Sequence, residues 1–167
     1  QNQVYEANGA YHVRAYVADS EGFRGFMDSI VDFFEGKQGA SILDVGAGEG
    51  VLTELLLERG HTVDALDISP KARDLFLERI DGKNYKTTFY LEDFLKFTKP
   101  YDFIVCANTL HMIPDERAVV ERIKSLAKRG AYITVPDMPR GELDLRGYSK
   151  ERLLSLFPRS RIFFQDK

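Results

Sequence analysis

The residue types best suited to chemistry are concentrated in one short stretch, Ser41-Ile42-Leu43-Asp44-Val45-Gly46-Ala47-Gly48-Glu49-Gly50. An apolar, partly β-branched run gives way to glycines at 46, 48 and 50, and Val51-Leu52-Thr53-Glu54-Leu55-Leu56-Leu57 then follows with a more helical pattern. That order predicts a buried strand, a tight turn and a helix, the opening of a βαβ unit. Glycines in such a turn let the backbone bend sharply and let a ligand approach without a Cβ in the way. The charges narrow the ligand. A pyrophosphate at a helix N-terminus gains from positive potential, yet two carboxylates, Asp44 and Glu49, stand in the strand and the loop. A dinucleotide fingerprint also needs its third glycine at position 51, which is Val51. Acidic groups here suit a ligand whose reactive end is cationic.

Further polar groups follow at the ends of the next strands. Thr62-Val63-Asp64-Ala65-Leu66-Asp67 reads as a second strand, closed by Ile68-Ser69-Pro70. Asp67 therefore falls on the same edge as the glycine loop, where a carboxylate accepts both hydroxyls of a ribose. Thr87-Thr88-Phe89-Tyr90-Leu91 reads as a third strand, ending in Glu92-Asp93-Phe94. Phe103-Ile104-Val105-Cys106-Ala107 reads as a buried fourth strand, followed by Asn108-Thr109-Leu110-His111.

The segment from Leu43 to Gly50 closely resembles the first motif of the Rossmann-like (class I) S-adenosylmethionine-dependent methyltransferases. The resemblance runs from about residue 20 to the end of the chain. It implies that S-adenosylmethionine, which carries a sulfonium and an ammonium but no phosphate, binds at Asp44, Gly46, Ala47, Gly48, Gly50, Asp67 and Ile68. It also implies that Glu92 or Asp93 accepts from the adenine amino group, that the Phe94 N–H meets the ring, and that Asn108 lies beside the cofactor. The Asn108-Thr109-Leu110-His111 segment resembles that of small-molecule enzymes. It is neither the Asn/Asp-Pro-Pro-Tyr/Phe signature of base methylators nor the strand-end Asp of the metal-dependent catechol type, so no metal is expected. The mechanism implied is in-line displacement at the sulfonium methyl carbon, which leaves the protein chiefly to position and desolvate the reactants. A hydroxyl acceptor also needs help losing its proton. His111 stands where such a base would act, with Asn108 as a polar orienter; the alternative is a packed or solvent-facing histidine. Related enzymes often fold an N-terminal segment over the cofactor. That assigns residues 1–19 as a lead-in or lid, with Tyr11 and Arg14 toward substrate or, more simply, as ordinary packing and a solvated side chain.

The elements that must position these groups read as one domain over residues 1–167. Phe23, Phe26, Met27, Ile30, Val31 and Phe34 recur at helical spacing, with Ser20 as N-cap and Gly36 as stop. The helix after the glycine loop ends at Gly60. Ser69 and Pro70 start a helix that runs to about Ile80. A helix from Pro114 through Lys128, with Ala118, Val119, Ile123 and Leu126 inward, is expected to stop at Gly130. Ala131 to Val135 reads as a fifth strand, residues 136–147 as a loop at the ligand edge, and Ser149 as the cap of a helix to about Phe157. Arg161-Ile162-Phe163-Phe164 reads as a sixth strand. This alternation argues for a three-layer α/β sandwich around a mostly parallel sheet. The family's antiparallel seventh strand has no residues here, so the open edge is expected to favour self-association or cover by another segment.

Composition bounds the partners. The chain has 167 residues, 44% hydrophobic, with a net charge of −3, which gives no general electrostatic case for binding RNA or DNA. The single Cys106 fits a reducing, cytoplasmic setting, and neither a membrane-spanning run nor a signal peptide is visible. The chain begins at Gln1, as a processed or trimmed chain would. The expectation is a small-molecule methyltransferase. An RNA or protein methyltransferase, a nicotinamide-dependent oxidoreductase and a non-catalytic cofactor-binding module stand as alternatives.

Overall fold

The computed structural model describes residues 21–135 and 148–159. Helix α1 (Glu21–Phe34) leads into strand β1 (Ser41–Val45), helix α2 (Val51–Glu58), strand β2 (Thr62–Asp67), helix α3 (Pro70–Ile80) and strand β3 (Phe89–Leu91). Strand β4 (Tyr101–Ala107), a single 3-10 turn at Leu110–Met112, helix α4 (Glu116–Leu126), strand β5 (Ala127–Thr134) and helix α5 (Lys150–Leu156) complete the described elements. The strands form one sheet in the order β3-β2-β1-β4-β5, and each neighbouring pair is parallel. The chain thus winds outward from β1 to β3, then returns to the other side of β1 to lay down β4 and β5. That reversal opens a crevice at the carboxyl ends of β1 and β4.

Residue parity along the strands explains why both faces are covered. Ile42, Val63, Phe103 and Val105 join Ile30, Phe34, Leu52 and Leu56 in one buried cluster, so α1 and α2 lie on that face. Leu43, Val45, Leu66, Ile104 and Cys106 join Val119, Ile123 and Leu126 of α4 in the other, with Leu153 and Leu156 of α5 packed against it. Central strands covered on both sides have near-continuous apolar sequences, as Ile104-Val105-Cys106 does.

Several start and stop signals act as expected. The Ser69 side chain accepts from the Ala72 N–H and Pro70 occupies the first turn of α3, while Ser149 caps α5 through the Arg152 N–H. Gly36 and Gly60, just beyond α1 and α2, have φ of 73° and 79°. Two expectations need correction. Strand β3 is shorter than expected: Thr88 bonds through its carbonyl to the Ala65 N–H and through its N–H to Asp64, just before the strand begins. Gly130 does not stop a helix. Ala127 is already extended, and Lys128, Arg129 and Gly130 belong to β5, with Gly130 paired to Phe103. A register shift between Tyr101 and Phe103 takes up the additional residue, and the side chains of Lys128 and Arg129 stay exposed. Ser20, Tyr11, Arg14, the loop at 136–147 and the expected strand at 161–164 lie outside the described residues.

Glycine 50 carries a steric requirement that can be measured. Its φ is +83°, and an added Cβ would come within 2.3 Å of the Phe76 ring on α3. Gly50→Ala is expected to lower the unfolding free energy in urea by about 2–5 kcal/mol, from overpacking and left-handed strain together. In a Phe76→Ala background the increment should shrink to the backbone part. An increment that does not shrink would show that the ring contact is not its cause.

Candidate functional site

At the carboxyl edge, the loop after β1 is tied to the end of β2. The Gly46 and Ala47 N–H groups both donate to the Leu66 carbonyl, at 2.8 and 3.1 Å, and the Gly50 N–H closes the turn on Ala47 at 3.0 Å. Gly46, Gly48 and Gly50 all have positive φ, which an L side chain rarely adopts. Glycine at 46 and 50 meets a further requirement besides the turn. A Cβ at Gly46 would strike the Thr109 side chain at 2.3 Å, and one at Gly50 would strike Phe76, so both make room for the protein's own side chains.

Asp67 lies beneath this loop, 2% exposed. Gly48 N–H donates to its Oδ2 at 3.0 Å and Ser69 N–H to its Oδ1 at 2.9 Å. Each oxygen thus takes one fixed amide and keeps acceptor capacity for a second donor. Burial raises the pKa of Asp67, and the amides of Ser69, Gly48 and Ile68 oppose that rise. Next to it along the edge, Ile68 and Leu91 are 48% and 40% exposed, an apolar pair on the ends of β2 and β3. Leu91 was not singled out in the sequence, because a terminal strand leucine looks like core.

Asp44 is buried on β1 and accepts from Thr53 Oγ1 of α2 at 2.7 Å. Burial pushes its pKa up to about 6; the Thr53 hydroxyl opposes the rise and the charge of Asp67 adds to it. Glu49, expected to face a cationic ligand, is instead paired with Arg79 of α3 at 2.8 Å, its side chain 4% exposed. Asp44 and Asp67, by contrast, are met by a hydroxyl and by backbone amides, and among the described residues neither is paired with a cation.

At the end of β3 the Glu92 N–H donates to the Asp67 carbonyl at 3.1 Å, while the Glu92 side chain is exposed. Asp93 is half-buried and its Oδ1 accepts from the Leu95 N–H at 3.0 Å; Phe94 is buried. Both acids therefore stay at this edge, Asp93 fixed and Glu92 outward. After β4, Asn108 takes a left-handed φ of 50°. Its N–H is shared between the Thr134 carbonyl at 3.1 Å and Thr134 Oγ1 at 3.0 Å. Thr109 Oγ1 donates to the Ala107 carbonyl at 3.1 Å and packs on Gly46. His111, on the 3-10 turn, is 8% exposed, so its ring is packed and does not face solvent. Among the described residues no group of three or more His, Cys, Asp or Glu side chains is arranged to hold a metal ion, and no helix is long and apolar enough to cross a membrane.

Residues 18–162 match a family model described as a methyltransferase domain. An uncharacterized methyltransferase of Bacillus subtilis (strain 168) is 34% identical over 120 residues, covering 70% of this chain and 53% of that protein. A ubiquinone biosynthesis O-methyltransferase of Xylella fastidiosa (strain 9a5c) is 36% identical over 107 residues, covering 61% of this chain and 43% of that protein. The chain spans about half the length of these curated relatives. The crystal structure of magnesium protoporphyrin IX methyltransferase from Synechocystis PCC 6803 with bound S-adenosylmethionine shares the fold. It has a TM-score of 0.75 at 21% identity, over 94% of this chain and 82% of that one.

The burial of Asp44 sets a pH dependence. Folding raises its pKa from 3.8 to about 6, so between these values the native state holds a proton that the unfolded chain has lost. The stability linked to this group is full below pH 3.8 and declines as pH rises through 6. Relative to Asp44→Asn, which cannot titrate, the wild type is expected to lose about 2 kcal/mol of unfolding free energy between about pH 4 and pH 7. A difference that stays flat in urea titrations across that range would rule out the buried acid as its source.

Proposed function

The chain belongs to the Rossmann-like (class I) S-adenosylmethionine-dependent methyltransferase family, and from that membership we propose that it transfers a methyl group from S-adenosylmethionine to a small-molecule acceptor. The observation that carries this is the Asp67 carboxylate, held by the Gly48 and Ser69 amides at the rim of the glycine loop. The residues fit the cofactor. Asp67 has acceptor capacity for two ribose hydroxyls, the exposed Ile68 and Leu91 offer apolar surface to a flat base, and Asp44 adds negative potential suited to a cationic ligand.

When bound, the cofactor supplies a methyl group on a sulfonium that is its own leaving group. The chain's residues then have limited tasks. Asp67 accepts from the ribose, and Gly46, Ala47, Gly48 and Gly50 present backbone to the cofactor. Asp93, or Glu92 beside it, accepts from the adenine amino group, with the Phe94 N–H toward the ring. Asn108 orients groups where β4 ends. The relatives named O-methyltransferases favour an oxygen nucleophile, and for a hydroxyl His111 is the candidate to take the proton. General-base help of this kind contributes about 10²–10⁴ in rate.

A small acceptor is supported by those same relatives and by the net charge of −3, since a nucleic-acid enzyme would ordinarily display a basic stripe. An RNA or protein acceptor, and a module that binds the cofactor without turnover, are the competing outcomes. The deciding experiment has two stages. Calorimetry with S-adenosylhomocysteine should show binding to the wild type, weakened by about 1–3 kcal/mol in Asp67→Ala, where the ribose loses a charged acceptor. Equal affinity in that variant would remove the ribose assignment. Methyl transfer from labelled cofactor into a cell extract, split at a few kilodaltons, should then place label in the small fraction. Label only in RNA or protein would overturn the acceptor class, and binding without transfer would favour the non-catalytic module.

A further inference from the structure

One side chain of α3 uses all three of its guanidinium nitrogens, two on the glycine loop and one on α2. Arg79 Nε donates to the Glu49 carbonyl at 2.9 Å, Nη2 to Glu49 Oε1 at 2.8 Å and Nη1 to Glu54 Oε2 at 3.0 Å. Its loop partner is 30 residues earlier in the chain and its α2 partner 25 residues earlier. Lys83, also beyond the loop, pairs with Glu54. A tie between α2 and α3 needs only the Glu54 contacts. The two bonds to Glu49 do something else: they fix both the carboxylate and the peptide carbonyl of the residue between Gly48 and Gly50.

That location matters because the neighbouring amides are occupied. The Gly48 N–H holds Asp67 Oδ2, and the Gly50 N–H closes the turn on Ala47. Holding the Glu49 carbonyl toward Arg79 sets the peptide plane that ends in the Gly50 N–H. The Glu49 side chain is 4% exposed, so without Arg79 it would be a buried anion stripped of its counter-charge. Relief would come from swinging the side chain out, and the loop backbone would have to follow. Three donors in a rigid fork meet all three acceptors at once, which a single ammonium cannot do.

We propose that Arg79 is a positioning residue for cofactor binding, acting through Glu49 to hold the Gly48–Gly50 backbone in the form that orients Asp67. The proposal rests on the cofactor assignment above, and its test separates the two. Four variants are compared with wild type: Arg79→Met, Arg79→Lys, the double variant Arg79→Met/Glu49→Gln, and Tyr101→Phe. The last removes the 2.6 Å hydrogen bond from Tyr101 to Asp64, away from the loop, as a control for general loss of stability. The readouts are calorimetric Kd for S-adenosylhomocysteine well below each Tm, and amide hydrogen exchange of the peptide at 43–52 in ligand-free protein. KM for the cofactor and kcat are read where turnover is found.

Arg79→Met should weaken binding ten- to a hundredfold and speed exchange in the loop, with the loss in KM and kcat within threefold. Arg79→Lys should recover little, and the double variant should recover much of the affinity because position 49 no longer carries an uncompensated charge. Tyr101→Phe should lower Tm and leave Kd unchanged. Arg79→Met binding within twofold of wild type, with unchanged loop exchange, would overturn the proposal, as would a loss that Tyr101→Phe reproduces. Wild-type protein that fails to bind S-adenosylhomocysteine would instead overturn the cofactor assignment and with it the positioning role, whatever the exchange data show about the loop.

Discussion

The two amides that hold the Asp67 carboxylate are the joint on which the ligand edge depends. One comes from the glycine loop and the other from the turn into α3, so the end of β2, the loop after β1 and the start of α3 are fixed relative to one another through a single side chain. The Leu66 carbonyl, taking both the Gly46 and Ala47 N–H groups, makes the same connection through the backbone. The sheet order then follows from need: β1 and β2 must be parallel neighbours for these bonds to form, and β4 must lie on the other side of β1 for Thr109 to pack on Gly46.

Three acids crowd this region, and the chain settles each differently. Asp67 is met by backbone amides, Asp44 by the hydroxyl of Thr53, and Glu49 by the Arg79 guanidinium. Only the last neutralises a full charge with a full charge. Asp44, with a neutral partner alone, has its pKa pushed up to about 6 by burial. The edge therefore keeps negative potential at Asp44 and Asp67 while the carboxylate inside the loop is cancelled, a division that suits a ligand cationic at one end.

What was legible in the sequence was local. Serine before proline marked the start of α3, Gly36 and Gly60 marked the ends of α1 and α2, and continuous apolar runs marked β1 and β4 as buried strands. The strand-end acids could be placed because a strand's last residue is fixed by the turn that follows it. What was not legible depended on contacts far apart in the chain. That the glycines at 46 and 50 also make room for Thr109 and Phe76 could not be read locally, and Glu49 looked available until Arg79 arrived from 30 residues on. Gly130 was misjudged for a different reason. Glycine after a basic helical run looks like a stop, yet pairing with β4 begins at Ala127 and carries the whole segment into the sheet.

Cys106 sits on β4 two residues before Asn108, fully buried, its thiol pushed up to about 12 by burial first and by the charge of Asp44 second. A chain proposed to hold an electrophilic methyl donor has a chemical hazard of its own, since a thiolate is the strongest nucleophile among ordinary side chains and would be alkylated in place of the acceptor. Here the charge of Asp44 adds to burial in discouraging a second anion. The single sulfhydryl of the chain stays protonated and shut inside the sheet, so burial first and the charge of Asp44 second keep it from competing as a nucleophile.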